Sequence, residues 1–282
     1  MGITIDDLQA RTYGDGEIEI EGVLEENEDF IRFLISYFSD GVKIYGFMNL
    51  PNDDGPFPVV VVVHGYVTPS RYRTLAYTTP LADALAREGY FVFHPNYRNH
   101  PPSEQGPNPF RVGYAIDVHN LVGILEKGAG HPGLLEIAIP DELGLFGHSM
   151  GGGITLRSIT AYPGIDAAVM YAAISGDEWV NYERSAYWTN TQDELETSEV
   201  DLLRISTIYH LEDIQTPMSI HHGLNDTVVP PEWSTDLCER MMTIEKDVEC
   251  FDYPGQPHIF HGSGFDLFME RVLDFFEKHL KD

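Results

Sequence analysis

The chain has 282 residues, 43% of them hydrophobic. That is ample for a buried core, and it excludes a disordered chain, a collagen-like repeat and a small disulfide scaffold. A count of 17 basic against 45 acidic residues leaves a net charge of −28, which repels phosphate backbones and anionic lipid and argues against nucleic-acid and membrane partners.

That charge fits a well-solvated surface or a high-salt habitat and says nothing about chemistry. The opening residues, Gly2-Ile3-Thr4-Ile5-Asp6-Asp7, have neither a basic start nor an apolar run. The longest apolar run, Val59 to Val63, is far too short to cross a bilayer. A cytoplasmic protein is expected. Cys238 and Cys250 stand in no CxxC or metal-spaced cluster, so they are expected as two reduced thiols.

The first fifty or so residues read as antiparallel β-structure. Gly16 to Leu24 alternates polar and apolar residues, and Phe30 to Tyr37 continues the pattern. Ser39-Asp40-Gly41 supplies a hairpin turn into Val42 to Leu50. After Pro51 to Pro56 the pattern changes. Pro58 to Val63 is uniformly apolar, as a strand buried on both faces should be. A helical stretch near Leu75 to Arg87 follows, then a strand at Gly89 to Phe93 and helical spacing from Phe110 to Lys127. A short strand at Leu143 to Phe146 precedes a helix near Gly151 to Tyr162. Further strands are expected at Ala167–Tyr171, Met218–Ile220 and Val248–Tyr253, with helices at Pro231–Glu245 and Phe265–Leu280. This rhythm predicts an α/β fold with a mostly parallel central sheet and helices on both faces. The whole chain, 1–282, reads as one domain. Residues 174–214 break the rhythm and are expected to form a short cap over the carboxyl ends of the strands. That segment carries Trp179, Tyr182, Tyr187 and Trp188, candidates for binding an apolar or aromatic part of a substrate.

The candidate chemistry begins at Gly147-His148-Ser149-Met150-Gly151-Gly152. The motif alone carries little information, but here a strand enters it and a helix leaves it. So sharp a turn forces its middle residue into an unfavourable backbone region, and glycines on either side remove colliding side chains. Ser149 would stand exposed above the sheet, with a helix amino end aimed at developing negative charge. A serine hydroxyl needs a base. His258 follows Tyr253-Pro254-Gly255 in a loop between the last strand and the last helix, and His261 is its rival. The base needs an acid to hold its tautomer, and Asp226 follows the strand at Met218–Ile220. His221 and His222 could form a metal pair only if both faced one side, and neighbours on a strand do not. His64-Gly65-Tyr66 closes the valine strand. The amides of Tyr66 and Met150 are the candidate oxyanion donors, with His64 holding the loop. No metal or cofactor is called for.

These pieces together resemble the α/β-hydrolase fold. More narrowly, they resemble the catalytic domain of the prolyl oligopeptidase and acylaminoacyl-peptidase group and its dienelactone-hydrolase-like and cinnamoyl-esterase relatives. The likeness runs from about Phe38 to the end. It takes in Ser39 to Gly46, Leu50-Pro51, His64-Gly65, Pro95-Asn96-Tyr97-Arg98, the Ser149 motif, His222-Gly223 with Asp226 and Val229-Pro230, and Tyr253-Pro254-Gly255 with His258. The resemblance implies Ser149 as nucleophile, Asp226 as acid, His258 as base, and Met150 and Tyr66 as oxyanion donors. It implies a serine carboxylic-ester hydrolase of a small-molecule ester, and the aromatic residues of 174–214 add feruloyl-like esters as one candidate. The alternative is an aminopeptidase or acyl-peptidase. A binding module on a dead hydrolase scaffold is a third reading, against which the retained serine and histidine count. The chain departs from the group in three ways. Only about 55 residues precede the first core strand, too few for the peptidases' β-propeller. The oxyanion turn reads His-Gly-Tyr, and Asn99-His100-Pro101-Pro102 replaces a glycine-rich continuation. Dienelactone hydrolases proper use a cysteine nucleophile, which Ser149 is not.

Overall fold

The computed structural model describes residues 2–75, 78–188 and 199–281. A short helix α1 (Ile5–Gln9) leads into three antiparallel strands, β1 (Glu19–Glu26), β2 (Phe30–Ser39) and β3 (Val42–Pro51). Then follow β4 (Phe57–Val63), α2 (Thr79–Arg87), β5 (Phe91–Pro95), α3 (Val112–Gly128), β6 (Ala138–His148), α4 (Met150–Ala161) and β7 (Ala167–Tyr171). The chain continues through α5 (Glu178–Trp188), α6 (Glu199–Ile205), β8 (Met218–Gly223), α7 (Pro231–Thr243), β9 (Val248–Tyr253) and α8 (Gly262–Leu280).

The strands form one sheet in the order β1-β2-β3-β5-β4-β6-β7-β8-β9. The pairs from β5 through β4 to β9 are parallel, and those on the β1 side are antiparallel. The valine strand explains why the core has two halves. Val59, Val61 and Val63 point to a cluster built with α3, α4 and α7, while Val60 and Val62 point to one built with α2 and α8. Alternation across a pleated strand sends successive residues to opposite faces, so a strand covered on both sides needs no polar positions.

β6 is longer than its apolar stretch suggests. Phe57 pairs with Ala138, and a register shift then brings Val59 opposite Leu143, so Pro140-Asp141-Glu142 lies in an irregular stretch of the ladder. Asp141 takes a left-handed φ of 60° there. The described part of the 174–214 segment includes α5 and α6. Leu202 and Ile205 of α6 are buried with Leu8, Phe110, Val112, Ile116 and Ala161, which anchors the end of the segment to the body of the protein.

The cysteine expectation is corrected. Cys238 on α7 and Cys250 on β9 form a disulfide, with Cα atoms 6.4 Å apart and a sequence separation of 12. The chain leaves α7, turns, and returns along β9 beside it, which brings together two residues that show no short motif. Disulfides persist in oxidising surroundings, so the expectation of a reducing compartment loses that support. Among the described residues no helix is long and apolar enough to cross a membrane.

Candidate active site

Ser149 stands between β6 and α4 with φ 59° and ψ −119°, a region that side-chain-bearing residues rarely occupy. The neighbouring glycines make this turn possible. A Cβ on Gly151 would lie 1.9 Å from the Val63 carbonyl oxygen, and one on Gly147 would lie 2.3 Å from that of Gly151. The strained residue is held by its own backbone. Its N–H donates to Tyr171 O at 2.9 Å, and its carbonyl accepts from Gly152 and Ile174 at 3.0 and 3.1 Å. The last bond ties the start of the 174–214 segment directly to the turn.

Asp226 lies in the turn after β8. Its Oδ1 accepts from the backbone N–H of Val228 at 2.7 Å and of Val229 at 2.9 Å. Its Oδ2 lies 2.6 Å from His258 Nδ1 and 3.1 Å from His222 Nε2. Burial on its own would raise this carboxyl; the donors from His222 and His258 and the Val229 amide outweigh it and hold the group well below the usual carboxylate range. Because Asp226 is ionised, His258 donates from Nδ1, which leaves Nε2 as the acceptor a nucleophile's proton requires. The loop bearing His258 is itself fixed, since His148 Nε2 donates to the His258 carbonyl at 3.1 Å. Burial, reinforced by the nearby His258, lowers the His148 pKa to about 3, so its ring is neutral.

Ser149, His258, Met150 and Tyr66 line one cavity of about 310 Å³, together with His148, Arg111, Ile174, Val228, Val229 and Ile259. Met150 opens α4, and among the described residues neither its amide nor that of Tyr66 donates a loop or cap hydrogen bond. His64 is buried, with ring nitrogens 2.7 Å from Gly65 O and 3.3 Å from Asn96 O and its ring stacked on Tyr97, as expected of a residue that holds its loop. His261 is exposed and does not line the cavity. His221 bonds Ser219 and Tyr253 and packs on Phe268 of α8, whereas His222 turns the other way to Ser234 of α7.

Trp179 and Tyr182 sit on α5 with rings 6.1 Å apart, more than a third exposed and outside the cavity lining. The side chains of Tyr187 and Trp188 lie outside the described residues.

Three residues of the site carry no role in the sequence reading. His222 is weighed as a metal ligand and as part of the family resemblance, yet it bonds Asp226. His148 is the variable position of the Ser149 motif, yet it holds the loop of His258. Arg111, at the start of α3, belongs to no motif.

Sheet order, serine turn and cavity together define an α/β hydrolase, and a family model of the alpha/beta hydrolase fold matches residues 58–185. The chain belongs to the prolyl oligopeptidase family, whose model matches residues 134–282, more than half of it. A carboxymethylenebutenolidase-like protein of Synechocystis is 21% identical over 240 residues, covering 82% of this chain and 87% of that protein. A puromycin-hydrolyzing peptidase of Mycobacterium tuberculosis superposes with a TM-score of 0.70 at 22% identity, over 90% of this chain. This chain spans only 40% of that peptidase's length. A Pyrococcus furiosus esterase superposes with a TM-score of 0.67 at 20% identity, over 99% of this chain and 97% of the esterase. At such identities the structural likeness establishes the fold alone.

Proposed function

We propose that the protein is a serine carboxylic-ester hydrolase that works through an acyl-enzyme. The observation that carries this reading is the 2.6 Å contact between His258 and Asp226 at the rim of the cavity that also holds Ser149. In this mechanism Ser149 Oγ attacks the ester carbonyl as His258 Nε2 takes its proton. The new C–O bond pushes the carbonyl electrons onto the oxyanion, which accepts from the amides of Met150 and Tyr66. His258 then returns the proton to the leaving alcohol. Water attacks the acyl-enzyme by the reverse sequence and releases the acid. Asp226 stays ionised and stabilises the imidazolium.

The cavity volume suits a small ester, and Ile174, Val228, Val229 and Ile259 favour an apolar segment beside the scissile bond. A peptidase reading draws on the family match. An esterase among the structural neighbours, superposed over 97% of its own length, supports the ester reading. The test is a panel of nitrophenyl esters beside aminoacyl nitroanilides, with fluorophosphonate labelling of the full chain. The expected result is turnover of esters and labelling that Ser149→Ala abolishes. Faster turnover of the anilides would replace the ester reading with the peptidase one. A folded wild type that neither labels nor turns over any substrate would overturn both.

A further inference from the structure

Among the described residues four arginines are buried: Arg32, Arg98, Arg111 and Arg157. Three have carboxylate partners. Arg98 binds Asp117 at 2.8 Å, Arg32 binds Glu25 at 2.6 Å and also Asp83, and Arg157 binds Glu178. Arg111 is the exception. It is 7% exposed, its Nε has no hydrogen-bond partner, and among the described residues it makes no ion pair. Acids are not scarce in a chain with 45 of them. A buried guanidinium without an anion is costly, and proteins ordinarily supply one.

Arg111 is also not there by default of the backbone. Phe110 and Arg111 both hold left-handed φ values, 50° and 60°, immediately before α3. Two consecutive side-chain-bearing residues in that region are strained, and such strain gathers where a side chain must be aimed. Arg111 lines the cavity that Ser149, His258 and Met150 line. Arg157 of α4, which reaches the Phe110 carbonyl at 3.5 Å, is already neutralised by Glu178.

We infer that Arg111 is a specificity-determining residue that binds a carboxylate on the substrate, so that the preferred esters carry one anionic end across an apolar segment from the scissile carbonyl. The inference rests on the ester-hydrolase reading of the same cavity and adds the substrate class to it. One guanidinium matches one carboxylate through two parallel N–H···O bonds. A dianion such as a phosphomonoester would leave a charge unmatched in a largely apolar cavity of a protein carrying −28. The apolar lining formed by Ile174, Val228 and Val229 suits the segment between the two ends of the substrate.

The test compares two nitrophenyl esters of equal chain length, the neutral pentanoate and the hemiglutarate, in which a carboxylate replaces the terminal methyl. The readout is the ratio of kcat/KM for charged over neutral ester, measured in wild type, Arg111→Met and Arg111→Gln at one pH. Loss of a charge-assisted pair predicts that the ratio falls by about 10- to 100-fold in both variants. A ratio unchanged in either folded variant overturns the assignment. Failure of the ester reading looks different, because wild type would then turn over neither ester in a Ser149-dependent way. In that event calorimetry with monomethyl glutarate on Ser149→Ala and on the Ser149→Ala, Arg111→Met double variant decides. Binding that weakens in the double variant supports the carboxylate site, and equal or absent binding in Ser149→Ala overturns it.

Discussion

The two walls of the cavity that Ser149 lines are built on opposite rules. On the wall formed by the loops after β8 and β9, every polar group that matters has a partner. Asp226 accepts from two backbone amides and two histidines, and His258 is held at its ring by Asp226 and at its carbonyl by His148. On the wall at the start of α3, Arg111 is buried on a strained turn with no ion pair among the described residues. Saturation fixes geometry before substrate arrives, which is what charge stabilisation in a transition state requires. An unmatched cation does the reverse and gains its partner from the ligand, which makes it a device for choosing substrates. In the proposed mechanism, chemistry and selectivity fall on two sides of one pocket.

The largest expected effects belong to the saturated wall. Ser149→Ala should lower ester kcat by about a millionfold, the scale on which a nucleophile acts as one unit with its base. Stopped hydrolysis of a nitrophenyl ester, with a thermal melt to confirm folding, checks it; residual activity within a hundred-fold of wild type would place the nucleophile elsewhere. Asp226→Asn should cost about ten-thousandfold, because the amide can no longer accept from every donor and the His258 tautomer is released. KM should change little. An effect confined to KM would mean that Asp226 shapes the pocket and does not orient the base.

The elements that carry this candidate site were legible in the sequence, and the reason is local. Ser149, Asp226 after β8 and His258 after β9 each sit on a short stretch in which glycine, proline and a strand end force one backbone path. The acid's partner was not legible. His222 and Ser234 are 12 residues apart, and only the packing of α7 on β8 joins them at 2.6 Å. Arg111 was invisible for a different reason: being unpaired is a property of everything around a residue, and no sequence window holds that. The extent of β6 was hidden by Pro140-Asp141-Glu142, whose polarity reads as loop while a register shift keeps it in the ladder. Two aromatic residues of α5 sit differently from the expectation. Trp179 and Tyr182 suggested a substrate surface by composition, and the helix turns them outside the cavity lining. Cys238 and Cys250 carried no spacing signal, because their bond crosses between a helix and a strand.

His222 gives a sharper test of the saturated wall. Its Nε2 faces Asp226 Oδ2 at 3.1 Å and Val229 O at 3.2 Å, both of which only accept, so the proton sits there. Its Nδ1 therefore accepts from the Ser234 hydroxyl. His222→Phe keeps most of the volume and removes one charge-assisted bond to the acid. Such a bond predicts a loss of about 10- to 100-fold in kcat, with a matching loss in the rate of fluorophosphonate labelling. Ser234→Ala should produce a smaller loss of the same kind, since it frees the ring without removing it. If kcat survives both changes, the two backbone amides hold Asp226 by themselves.

The smallest effect separates positioning from stability at one residue. His148→Phe removes a neutral hydrogen bond to the His258 carbonyl, worth about 1 kcal/mol and so a loss of three- to tenfold in kcat at neutral pH. Its effect on folding has the opposite trend with pH. The native pKa of His148 is about 3 because it is buried, and that of an unfolded histidine is about 6.5. As pH falls below 6.5 the unfolded chain takes up a proton at this position and the native protein does not. Wild type therefore loses stability over the window from about pH 6.5 down to 3, by on the order of 1 kcal/mol per pH unit, and the variant is spared that loss. Between pH 7.5 and 5.5 the melting temperature of His148→Phe should shift by about 2 °C in its favour relative to wild type. Melting curves at the two pH values decide it. A gap that stays constant would mean that His148 takes up its proton in the folded protein, and a charged ring beside His258 would then have to figure in how the base is held.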